Sequence, residues 1–171
     1  MKWLIIVLTL AGLCFIFILV GASRPADHTA RVAVTIAKPR ADVWAVIADA
    51  EGMPAWFSEV KSVERIADVD GKPTYHERYG RWTATVVIRE SVEGQRLVRE
   101  IQPGGGFSGS WTIELADAGD GTRLAITERG HVTNAFLRSV MAFVSDTRTM
   151  RLYADALARK LGTTAVPVAQ M

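Results

Sequence analysis

The residues in this chain best placed for chemistry are charged side chains in phase with apolar neighbours on alternating stretches. In "RLAITERG", Leu124 and Ile126 alternate, and Glu128 is the next residue on their face. In "RLVREI", Arg99 lies between Leu97 and Ile101, and in "TYHERYG", Glu77 lies between Tyr75 and Tyr79. A carboxylate and a guanidinium turned into one apolar interior can pair, or can orient the polar end of a ligand. An unpaired charge there is costly, so a partner or water is expected. A β-bulge shifts the phase by one residue and sends any of these groups to solvent, so the solvated alternative stays open for each.

Other chemistries find little support. His28, His76 and His131 are the only histidines, His28 falls in a linker, and no pair has the close spacing of a metal site. "DVDGK" is a turn, too short for a calcium loop. "GGGFSG", Gly104 to Gly109, has the glycine spacing of a dinucleotide fingerprint, but a strand follows it where that motif needs a helix. It reads as an inter-strand loop, a candidate gate. Ser58, Ser108 and Ser110 lack the local context of an activated nucleophile. No metal and no cofactor is implied. The net charge of +2 and the scattered Arg and Lys residues give no footprint for nucleic acid.

The elements that must position these groups follow from periodicity. "RVAVTIAK" alternates as a strand, and Pro39 opens a helix with an apolar stripe of Val43, Trp44, Ile47 and Ala48. Gly52 and Pro54 end it, and Trp56 and Phe57 follow in one short turn. From Val60 to Gly130 the period is two, with turn residues at regular intervals, which predicts an antiparallel meander of six strands. From Asn134 to Leu161, apolar residues including Leu137, Val140, Met141, Met150, Ala154 and Leu157 recur at helical spacing, with Gly162 as the stop.

The N-terminus is different in kind. Trp3 to Ala22 carries no charge and is nearly all apolar, with Cys14, the chain's one cysteine, inside it. About 20 such residues match the length of a membrane-crossing helix, whereas a cleaved signal has a shorter apolar core. "VGA" at Val20–Ala22 has the small residues of a cleavage site, so a signal peptide is the alternative. Lys2 favours the N-terminus inside and the rest outside. The expected location is therefore a single-pass membrane protein with a periplasmic or otherwise extracytoplasmic domain, secreted if the N-terminus is removed.

A sheet with one face to bury and one long amphipathic helix is solved by curling the sheet around the helix. The residues resemble the START-like, Bet v 1-like SRPBCC superfamily, and within it bacterial polyketide cyclase/dehydrase proteins. The resemblance rests on "VAVTIAKPRADVWAVIADAEGMPAWFSEVKSVE", on "GSWTIEL" followed by "GDGTRLAITERG", and on the closing helix into "LARKLG". It implies an α+β helix-grip fold, with residues 1–22 as anchor, 23–28 as linker, 29–162 as the domain and 163–171 as a flexible tail. It also implies a cavity between sheet and helix, with Trp56 and Phe57 either at its rim or plugging its end. Cavity candidates are then Trp56, Phe57, Glu77, Tyr79, Arg99, Trp111, Ile126, Glu128 and Met141. The expected activity is binding of a small hydrophobic molecule, lipid or isoprenoid-like. A non-catalytic interaction module with a filled interior is one alternative. A cyclase or dehydratase moving protons through Glu128 or Tyr79 is another.

Overall fold

In a computed structural model, which describes residues 2–141 and 147–168, the period-two stretches become one antiparallel sheet. Helix α1 (Lys2–Ala22) precedes strand β1 (Asp27–Ile36) and helix α2 (Arg40–Ala48), followed by a single 3-10 turn (Met53–Ala55). The six expected strands are β2 (Ser62–Val69), β3 (Lys72–Tyr79), β4 (Trp82–Val92), β5 (Arg96–Gly104), β6 (Phe107–Ala118) and β7 (Gly121–Val132). Helices α3 (Ala135–Met141) and α4 (Arg148–Lys160) and a short strand β8 (Ala165–Pro167) complete the chain. The sheet order is β2-β3-β4-β5-β6-β7-β1-β8, so the meander runs in sequence and β1 closes on β7.

The sheet wraps around α4, whose Met150, Tyr153, Ala154 and Leu157 are buried. They meet Ile36, Ile113, Leu124 and Ile126 from β1, β6 and β7, while α2 adds Val43 and Ile47. Fully burying each large aliphatic side chain is worth about 1.5–3 kcal/mol.

Three expectations change. The segment after Gly162, expected to be a loose tail, turns back and pairs Ala165–Pro167 with β1. Gly162 makes that possible: at φ 70° it forms a Schellman stop, with Thr163 N–H donating to the Ala158 carbonyl at 2.9 Å and Gly162 N–H to that of Arg159 at 3.0 Å. Second, β1 begins at Asp27, so His28 lies in the sheet and not in a linker. Third, Val140, expected on the buried stripe, is exposed. The expected helix from Asn134 to Leu161 is described as α3 and α4, and residues 142–146 between them lie outside the described residues.

Candidate ligand-binding cavity

Sheet and α4 enclose a cavity of about 510 Å³. The concave strands supply Glu77 and Tyr79 from β3, Val86 from β4, Arg99 and Ile101 from β5, Trp111 from β6 and Glu128 from β7. Phe57 and Tyr153 line it from the opposite side, with Leu137 of α3. At the rim, Trp82 and Gly105 belong to the β3–β4 and β5–β6 turns, which lie side by side. Most of this surface is apolar, and the polar groups are few.

Three of those polar groups form one cluster. Arg99 Nη2 donates to Glu77 Oε1, and Tyr79 donates its hydroxyl proton to Glu77 Oε2 at 2.7 Å. Glu77 and Arg99 are both buried. Burial is the largest influence on the Arg99 pKa and lowers it, but the Glu77 carboxylate and the neighbouring Tyr79 and Tyr153 together more than offset it and hold the guanidinium above its usual value. The carboxylate thus has a cation on one oxygen and a hydroxyl on the other. Burial also pushes up both tyrosine hydroxyls: Tyr79 well above its usual range and Tyr153 to about 12. Both therefore remain neutral donors at physiological pH. Among the described residues the Tyr153 hydroxyl has no hydrogen-bond partner, although it borders the cavity.

Tyr153 is also the hub of an aromatic cluster. The rings of Trp56, Phe57 and Trp111 each meet it edge to face, at centroid distances of 5.0, 5.4 and 5.6 Å. These contacts fix how Trp56 and Phe57 pack. Phe57 is a wall residue of the main cavity, while Trp56 sits behind Tyr153 on a second, smaller cavity of about 140 Å³.

Glu128 occupies the cavity wall by a separate set of contacts. Trp111 donates its indole N–H to Glu128 Oε2, and His28 Nε2 lies 2.9 Å from Glu128 Oε1. The register explains the meeting: Ala30 is opposite Glu128 and His28 opposite Gly130. A Cβ at position 130 would overlap the His28 ring, so the glycine is what lets the imidazole lie across β7 and reach the carboxylate. This histidine–carboxylate pair went unseen in the sequence, because its members are far apart and meet only through the β1–β7 register.

Of the residues expected to face a cavity, Phe57, Glu77, Tyr79, Arg99, Trp111 and Glu128 line the main one together. Trp56 lies behind it. Ile126, in phase with Glu128 and two residues before it on β7, is fully buried in the core. The side chain of Met141 lies outside the described residues.

A curved antiparallel sheet gripping a C-terminal helix around a cavity defines the START-like helix-grip class. Solved structures agree in fold. A START superfamily protein from Mycobacterium smegmatis superposes with a TM-score of 0.63 at 18% identity, covering 79% of this chain and 97% of its own. The Zhui aromatase/cyclase from Streptomyces sp. R1128 gives 0.65 at 15% identity, over 80% and 94%. Norcoclaurine synthase from Thalictrum flavum gives 0.63 at 16% identity, over 79% and 93%. No curated protein matches the sequence significantly. Residues 27–162 match the family described as polyketide cyclase / dehydrase and lipid transport, and the chain belongs to that family.

Proposed function

We propose that this protein binds a small hydrophobic molecule bearing one polar end, and holds it beside a membrane through α1. The observation that carries the reading is the cavity itself. Its volume of about 510 Å³ falls within the roughly 300–1,000 Å³ usual for small-molecule sites. A mostly apolar wall with a few convergent polar groups is the chemistry such sites use: burial supplies the affinity and the polar groups fix the orientation. The Arg99–Glu77–Tyr79 cluster is internally paired, which leaves the Tyr153 hydroxyl as the group available to a ligand oxygen. A carbonyl, hydroxyl or carboxyl end seated there would lie near the Arg99 guanidinium. The open interior weighs against a filled interaction module.

Membrane attachment is supported by the character of α1. It is 21 residues long, and Trp3, Leu4, Ile5, Ile6, Leu10, Phe15 and Ile16 are exposed on it, unlike the side chains of a core helix. Native mass spectrometry of the domain purified without α1 tests the binding reading. Retention of a lipid-sized apolar molecule is expected, released by denaturation and by variants that fill the cavity. Only apoprotein, after purification and after incubation with fatty acids and isoprenoid alcohols, would count against it.

A second reading, proton-transfer catalysis, rests on one observation: His28 holds a carboxylate that lines the cavity. In that reading Glu128 exchanges a proton with the bound molecule and His28 tunes it. Glu128→Gln would then abolish turnover of a ligand that still binds. Unchanged ligand after long incubation with the wild-type protein would leave Glu128 as a binding residue.

A further inference from the structure

Helix α3 sends Leu137 to the cavity wall, touches the end of β7, and packs most closely against α1. Ser139 donates its hydroxyl to the Phe17 carbonyl, and Arg138 Nε donates to the Gly21 carbonyl at 2.8 Å. Phe17 and Phe136 meet edge to face at 5.4 Å. A Cβ at Gly21 would overlap the Ala135 carbonyl oxygen and the Ser139 hydroxyl, so the two helices touch at that glycine as closely as backbones can. The same Arg138 donates through Nη1 to the Val132 and Thr133 carbonyls, at 2.8 and 3.0 Å. One arginine of α3 therefore joins the end of α1 to the end of β7. The rim turn is tied in as well, since Thr133 N–H donates to the Gly106 carbonyl at 3.0 Å.

This joint sets a depth. At about 1.5 Å per residue, the 21 residues of α1 span about the 30 Å of a hydrocarbon core. Phe17 and Gly21 then stand in its last turns, where apolar interior gives way to headgroups. The side chains that α3 and the rim leave uncovered suit that level. Phe136 is 57% exposed and Val140 39%, one turn apart on α3 beside the face that meets α1. Trp82, on the rim next to Gly105, is 39% exposed, and tryptophan favours the boundary between lipid and water. Arg138, satisfied by three carbonyls, carries its charge at headgroup height.

Building on the tethered-binding reading, we propose that α3 is an interfacial helix keyed to the anchor. Phe136 and Val140 sit in the outermost part of the bilayer, Leu137 faces the cavity, and the ligand passes between cavity and membrane on the α3 side. The last turns of α1 then hold α3 at the membrane, and removal of the N-terminus would free α3 while leaving the sheet and α4 that form the cavity in place.

The test uses the full chain with Cys14→Ser, carrying one cysteine in place of Val140 or, as a control at the opposite end of the strands, Asp120. Each is labelled with an environment-sensitive fluorophore, reconstituted into phosphatidylcholine vesicles and floated. The label at 140 is expected to shift to the blue and to lose most of its emission to a nitroxide near the headgroup, whereas the label at 120 is quenched by aqueous iodide. Gly21→Leu keeps α1 helical and apolar but forces the helices apart. It should still float, with nitroxide quenching at 140 largely lost. A floated wild-type chain whose 140 label answers to iodide and not to the nitroxide overturns the interfacial helix and leaves the tether standing. Unchanged quenching in Gly21→Leu overturns the keying to α1. A chain that does not float overturns both the tether and this proposal.

Discussion

Arg99 and Glu77 reach each other across β4 and pair in the wall of the cavity, both buried. Glu77 stands opposite Ala84 and Arg99 opposite Ile88, so the two side chains extend over the strand between them. Desolvating two charges offsets most of their attraction, and the pair acts mainly as a constraint: neither member tolerates loss of the other. Glu77→Gln or Arg99→Met alone is expected to cost about 3–5 kcal/mol in urea denaturation. Glu77→Gln with Arg99→Met should cost clearly less than the sum of the two single changes. Additive losses would mean that the pairing does not hold the site.

The grip of α4 is tested by two residues close in sequence. Leu157 is fully buried against the sheet and Arg159 is exposed. Leu157→Ala should lower stability by about 2–5 kcal/mol, and Arg159→Ala by less than about 0.5 kcal/mol. Similar values for the two would place the helix the wrong way round.

The alkaline limb follows from the tyrosines. A folded-state pKa of about 12 for Tyr153, against an ordinary value of about 10, means the folded protein keeps a proton that the unfolded chain gives up. The corresponding stability is complete below about pH 10 and is lost as pH rises toward about 12. Tyr79 acts in the same direction. The urea midpoint of the wild type should therefore fall more steeply above about pH 10 than that of Tyr153→Phe. Parallel curves would show that the Tyr153 hydroxyl is not protected.

Trp56 and Trp111 separate support from wall. Both touch Tyr153, but only Trp111 lines the main cavity. Trp56→Phe keeps an aromatic ring behind Tyr153 and should leave ligand affinity nearly unchanged, while Trp56→Ala destabilises. Trp111→Phe keeps most of the packing, removes the indole donor to Glu128 and should alter affinity or selectivity. Titration with an apolar fluorescent probe reads both, and equal affinity changes would contradict this division.

Periodicity reached as far as side chains whose orientation is local. Alternation and turn residues such as Asp70–Gly71 gave the six meander strands and put Glu77, Arg99 and Glu128 on the inner face, where the structure has them. It could not pair His28 with Glu128, because that contact depends on the register of strands at opposite ends of the chain. It misread Val140 for a related reason: helical spacing reveals an apolar face but not its partner. The α3 helix turns part of its surface to α1, not to the sheet. The tail after Gly162 looked loose because a three-residue strand has too few residues to show alternation.

The most direct measurement of the central claim is probe binding to the domain without α1, compared with a variant that fills the space. Val86 lines the cavity from β4, and Val86→Phe adds bulk there without adding charge. The wild-type domain should bind an apolar fluorescent probe at one site and release it to a fatty acid or an isoprenoid alcohol. Val86→Phe, folded by circular dichroism, should bind it at least about tenfold more weakly, a difference of about 1.4 kcal/mol. If the wild type binds no probe, or if the folded Val86→Phe domain binds it equally well, the cavity between sheet and helix is not a ligand site.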